Sequence, residues 1–156
     1  MQTLNRLCTT ARTVLFTSIP ALTQRVLPAL VFTDAILQFQ PNGSLEREVL
    51  VSSLLRLGYR KGSVVEIPGE FSIRGGLVDI FSTAYSDPLR VEFLGDSIEA
   101  LRLFDATTQT SIRQVDEATI LPAREYLRPE DSSEAYAPIA PDAEWRARTI
   151  DSRKRP

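Results

Sequence analysis

Two arginines draw attention for the chemistry their side chains offer. Arg74 sits in "FSIRGGLVDIF", residues 71–81, and Arg90 in "LRVEFLGDSIEALRLF", residues 89–104, and both stretches alternate apolar and polar residues. A guanidinium is a planar fork of N–H donors, suited to bidentate recognition of a carboxylate or a phosphate. If Gly75 and Gly76 form a tight turn, both at positive φ, Phe71 lies opposite Ile80 and Ile73 opposite Val78. Ser72, Arg74, Leu77 and Asp79 then face the other way. Leu89, Val91 and Phe93 likewise share a face and leave Arg90, Glu92 and Leu94 on the opposite one. Leu94 breaks the polar pattern there, and with Arg90 it makes a basic-plus-apolar pair about 13 Å apart along one strand. If both faces belong to one sheet, Arg74, Arg90 and Leu94 form a patch of the side chains that most often carry interface energy. A face of solvated charge is the ordinary alternative, and alternation by itself leaves both readings open.

Other chemistries find little support. Histidine is absent, which removes the commonest general base and the commonest metal ligand together. Cys8 is the single cysteine, able to form neither an internal disulfide nor a zinc cluster, and reads as a small buried apolar residue. A phosphate-cradling loop ends in Gly-Lys-Ser/Thr; "YRKGS" has the wrong order and spacing. Asp79, Glu92, Asp96, Glu99 and Asp105 fall at turns or alternate along strands, the pattern of solvated charge rather than of a magnesium site. No catalytic residue, metal or cofactor is therefore expected. The net charge of −2 gives no overall drive toward nucleic acid. Phe71, Phe81, Phe93 and Phe104 fall mostly on the apolar faces, as core residues rather than a base-stacking platform. The excess of arginine over lysine, whose only instances are Lys61 and Lys154, is a skew that a GC-rich genome explains.

These residues need elements to hold them. A chain of 156 residues with 43% hydrophobic content fits one ordinary soluble domain. The apolar stretch at 26–37 is broken by Pro28 and Asp34, well short of the roughly 20 residues a membrane span needs. The N-terminus has no secretory pattern, so a cytoplasmic protein is expected. Residues 12–17 read as a strand, followed by a helix that Ser18 caps with Pro20 in its first turn. "DAILQFQ" reads as a strand and "PNGS" as a turn into a helix of about 13 residues. Ser44 would cap that helix, Leu45, Val49, Leu54 and Leu57 would form its apolar stripe, and Gly58 would end it. From Glu70 the period becomes two, giving an antiparallel meander of "EFSIR", "LVDIF", "LRVEFL" and "SIEALRLF". Leu101, Leu103 and Phe104 cannot all share one face, so a bulge or strand end is needed near 100–104. A further short strand is expected at "EATILPA", and the Pro-, Asp- and Ser-rich end beyond Glu125 reads as a mobile tail.

The stretches "LLRLGYRKGSVVEIPGEFSIRGGLVDIFS", "PLRVEFLGDSIEALRLFDATTQTSI" and "ATILPAREY" together resemble the UvrA-interaction module of bacterial transcription-repair coupling factors. They are similar, less closely, to domain 2 of the excinuclease subunit UvrB. The resemblance covers about residues 28–128; the preceding "VLFTSIPALTQRVLP" looks like the end of the helicase-like domain that leads into the module. It implies an α+β fold, an antiparallel β-meander sheet packed with a helix, in which two arginines and an aromatic on the exposed sheet face bind UvrA. The arginines match Arg74 and Arg90, and the aromatic position falls on Leu94, which keeps apolar contact with less ring area. The motor motifs of a full coupling factor are missing, which implies a non-enzymatic piece of a longer protein or a truncated gene product. The expected organisation is 1–27 as the remnant of the first domain, 28–128 as the interaction domain and 129–156 as a flexible tail. UvrA is the expected partner, without membrane or small-molecule substrate. The alternatives are a small nucleic-acid-binding domain that uses the same arginines on phosphates, and an inactive remnant.

Overall fold

The computed structural model describes residues 1–10, 12–24 and 26–125. In chain order the elements are α1 (Gln2–Thr9), α2 (Ile19–Leu22), α3 (Ala29–Asp34), β1 (Leu37–Phe39), α4 (Arg47–Arg56), β2 (Arg60–Lys61), β3 (Glu70–Arg74), β4 (Leu77–Ile80), β5 (Leu89–Leu94), β6 (Ser97–Phe104), β7 (Ser111–Gln114) and β8 (Ala118–Ile120). The strands β2 to β7 form one sheet in sequence order, antiparallel except for the parallel pair β2–β3. β1 and β8 pair antiparallel as a separate two-stranded sheet. The fold is α+β with a central meander, as the alternating sequence implied. β8 is the expected strand at "EATILPA", but it closes on β1 instead of extending the meander. The helices α1 and α3 and the edge strands β2 and β7 carried too few patterned residues to be read in advance.

Register in the meander follows the hydrophobic pattern. Phe71 lies opposite Ile80 and Ile73 opposite Val78. Gly75 has φ of +60° and Gly95 +63°, each at the first position of a two-residue turn. Gly76 is not at positive φ, so the turn has the pattern of type II′, and only its first position requires a glycine for conformation. Gly76 is needed for space instead: a Cβ there would lie 2.9 Å from the carbonyl oxygen of Phe93 on the neighbouring hairpin.

The inner sheet face, with Phe71, Val78, Ile80, Leu89, Val91, Ile98, Leu101 and Leu103, forms one core with Leu50, Leu54 and Leu57. Spacing of i, i+4 and i+7 puts those three leucines on one helical stripe. Val49 lies beside that stripe and is half exposed, contrary to the expected pattern. The helix also starts later than expected. Glu46 holds the N-cap position of α4, and Ser44 instead forms a β-bridge with Ser97 that draws the preceding loop onto the β5–β6 turn. The C-terminal end agrees with the sequence: Gly58 at φ +86° allows its N–H to bond Leu55 O at 3.1 Å and the Tyr59 N–H to bond Leu54 O at 3.0 Å, a Schellman end.

Residues 12–17 form no strand among the described residues, with Phe16 92% exposed. The strand expected there does not form because no sheet edge is offered to its backbone donors. α2 is a single turn, and Ser18 stands at its N-cap without a side-chain bond. Cys8 is exposed, not buried, because α1 buries none of its residues. The expected tail lies outside the described residues.

Tyr59 ties the end of α4 to the last strand by donating its hydroxyl to Leu121 O at 2.7 Å. Burial pushes its phenol up to about 12. A pKa higher in the folded than in the unfolded chain means that the neutral form stabilises the fold. This contribution is complete below pH ~10 and lost as pH rises toward 12. Tyr59→Phe leaves the Leu121 carbonyl unpaired and should cost about 1–2 kcal/mol at neutral pH. Urea titrations should show a shallower loss of stability between pH 10 and 12 for the variant than for the unsubstituted chain.

Candidate functional site

The face of the sheet away from the core carries a row of polar side chains set by register. Ser72 lies opposite Asp79, Asp79 opposite Arg90, Arg90 opposite Arg102 and Arg102 opposite Gln114. Two arginines directly opposite each other repel unless each has its own acid. Arg102 Nε donates to Glu92 at 2.8 Å, and Arg90 turns the other way, to Asp79. Its Nε donates to Asp79 Oδ1 at 2.7 Å and its Nη2 to Oδ2 at 3.0 Å, a bidentate pair. Arg74, diagonally across from Asp79, donates its Nη2 to the same Oδ2. The structure thus brings Arg74 and Arg90 together on one carboxylate that is itself only 1% exposed.

The two arginines are not equivalent. The Arg74 side chain is 43% exposed, whereas that of Arg90 is 13% exposed, so Arg90 is far less open than its place on the outer face suggests. Its guanidinium lies 4.5 Å from the centroid of the Phe104 ring. A cation over an aromatic face adds about 0.5–2 kcal/mol, more as water is excluded. The hydrogen bonds that Arg90 donates to Asp79 raise its pKa above the already high ordinary value. Register shifts interrupt the pairing at Glu92/Phe93 and at Leu103/Phe104. The second falls within the 100–104 stretch, but plain alternation suffices here: Leu101 and Leu103 keep the core side, and Phe104 falls with Arg102 on the other face, where its ring meets Arg90. Phe104 is therefore buried but is no part of the main core.

A turn after β6 completes the site. Asp105 accepts the Thr107 and Thr108 N–H groups at 2.8 and 2.7 Å, and these bonds hold its carboxyl below the usual range. The turn sets Gln109 at φ +60° and directs its Oε1 to Arg74 Nη2 at 3.3 Å. Leu94, the last residue of β5, is 71% exposed beside the turn to β6. Arg74, Arg90 and Leu94 thus share one sheet face, with Arg74 and Leu94 open and Arg90 behind them. Asp79 was placed on this face by alternation, but its role as the shared acceptor was not foreseen. Phe104 was read as a core residue rather than as the ring beneath Arg90, and Gln109 was missed, since a left-handed Gln leaves little trace in a hydrophobic pattern. Ser72 Oγ, next to Asp79 in the row, is buried without a hydrogen-bond partner.

A sheet face with paired guanidinium groups and an exposed leucine offers charge and apolar contact to another surface. The chain belongs to the UvrB interaction domain family, whose profile matches residues 37–126. It is 36% identical to a transcription-repair-coupling factor of Myxococcus xanthus over 87% of this chain and 11% of that protein. The corresponding protein of Escherichia coli is 34% identical over 81% of the chain and 11% of the relative. UvrABC system protein B of Thermus thermophilus is 33% identical over 69% of the chain and 16% of its own length. The chain thus spans about a tenth of the coupling factors it matches.

Different exposure means different roles in stability. Arg74→Ala removes a half-exposed partner and should change stability by less than about 1 kcal/mol. Arg90→Ala leaves the buried Asp79 carboxylate short of its bidentate partner and should cost about 2–3 kcal/mol. Chemical denaturation of the two variants side by side checks the difference; equal losses would contradict it.

Proposed function

We propose that this chain is a non-enzymatic docking module that binds UvrA, and so serves transcription-coupled excision repair within a longer protein. Residues 28–128 are the module in this reading, and residues 1–27 are the end of a preceding helicase-like domain. The observation that carries the proposal is the convergence of Arg74 and Arg90 on one buried carboxylate, with Leu94 exposed on the same face. Family membership and the repair-protein names of its relatives support it. Arginine and apolar side chains anchored in this way are the usual carriers of interface energy. UvrA contributes acidic side chains to the arginines and an apolar seat to Leu94.

Affinity measurements with purified UvrA test the proposal. Arg74→Ala should weaken binding by about 2–4 kcal/mol, roughly 30- to 1,000-fold, with an unchanged melting temperature. Leu94→Phe, which adds ring area at an exposed position, should tighten binding by about 0.5–1.5 kcal/mol. Undiminished capture by a folded Arg74→Ala variant contradicts the assignment. Binding to DNA that falls steeply with salt, in place of UvrA capture, favours a nucleic-acid module.

A further inference from the structure

The two arginines of the docking face do not offer the same hydrogen-bonding capacity to a partner. Arg90 commits Nε and Nη2 to Asp79, stacks on Phe104 and is 13% exposed. Among the described residues Arg74 commits only Nη2, to Asp79 and more loosely to Gln109 at 3.3 Å, while 43% of its side chain remains exposed. Its Nε and Nη1 are the donors available for a second carboxylate. Two cations on one anion also leave one positive charge uncompensated within this cluster.

We propose that Asp79 is the positioning residue of the docking face. Its buried carboxylate fixes Arg90 and, through the shared Oδ2, aims the remaining donors of Arg74 outward. Arg74 then receives a partner carboxylate directly, while Arg90 acts through Asp79 from behind. Arg74 has many rotamers when free, and ordering it before contact lowers the entropy lost on binding. The bond that Arg74 donates to Gln109 is long enough to be exchanged for a charged acceptor without a large loss. This inference rests on the docking reading above, and its test separates the two.

The experiment uses the full chain, labelled with 15N, together with UvrA. In the unbound chain the Arg90 Nε–H should exchange with water at least about tenfold more slowly than the Nε–H of an exposed arginine. Addition of UvrA should shift the Arg74 Nε–H strongly and the Arg90 Nε–H weakly. Asp79→Asn keeps the shape but removes the charge. In the folded variant the Arg90 protection should vanish, UvrA affinity should fall roughly tenfold or more, and Arg74→Ala should cost less in this background than in the unsubstituted chain. A folded Asp79→Asn variant with unchanged affinity overturns the positioning role alone. Lack of UvrA capture by the unsubstituted chain overturns the docking reading and the binding half of this inference, even where Arg90 is protected. If Asp79→Asn does not fold, the unsubstituted chain decides the matter: rapid exchange at Arg90 Nε overturns the proposal, and slow exchange with a UvrA-dependent shift at Arg74 supports it.

Discussion

Pairing register in β3–β4–β5 is the constraint on which both the core and the docking face depend. Side chains alternate with a period of two, so a slip by one residue on either hairpin would exchange the contents of the two faces. Phe71, Val78, Ile80 and Val91 would move to solvent, and Arg74, Asp79 and Arg90 would enter the core. The turn at Gly75 fixes the register of β3 with β4, and the turn at Gly95 that of β5 with β6, because each is a two-residue link that begins at positive φ. Burial strengthens the choice, with each large apolar side chain contributing about 1.5–3 kcal/mol when removed from water. The face bearing the two arginines is thus a consequence of how the core is specified.

On the outer face, charge balance takes over from hydrophobic burial. Arg90 and Arg102 stand opposite each other in neighbouring strands, a costly arrangement by itself. It is tolerated because Glu92 takes Arg102 and Asp79 takes Arg90. Asp79 is almost fully buried, and an unpaired carboxylate in such a position would be strongly unfavourable. Two guanidinium groups remove that cost, and one of them remains open to solvent. The same carboxylate therefore belongs to folding and to the presentation of a cation, with Phe104 as a platform and Gln109 as a loose latch.

Much of this was legible from residue types. Alternation from Glu70 onward predicted the meander and its register, and Gly58 predicted the end of α4. The resemblance of "PGEFSIRGGLVDIF" and its companions pointed to the family and to Arg74, Arg90 and Leu94. Legibility failed where tertiary contact overrides local pattern. Ser44 was read as a cap but bridges to Ser97, and Val49 was assigned to a stripe that Leu50 occupies. The strand read at 12–17 lacked the neighbour a strand requires, and Cys8 lacked a surface to bury it. The burial of Arg90 was missed because Phe104 was read as a core residue, whereas alternation from Leu103 puts its ring on the face of Arg90. A pattern reports which face a residue takes; it does not report how deeply its neighbours enclose it.

The central claim is that the face bearing Arg74 and Leu94 is the one that meets UvrA. Backbone amide shifts of the labelled chain, followed as UvrA is added, test it most directly because they require no substitution. The account predicts changes concentrated on Arg74, Leu77, Glu92, Leu94 and the turn at Gln109, with Val51 and Leu55 on the helix side unaffected. Changes confined to the helix side, or to none of these residues while UvrA is bound, would contradict it.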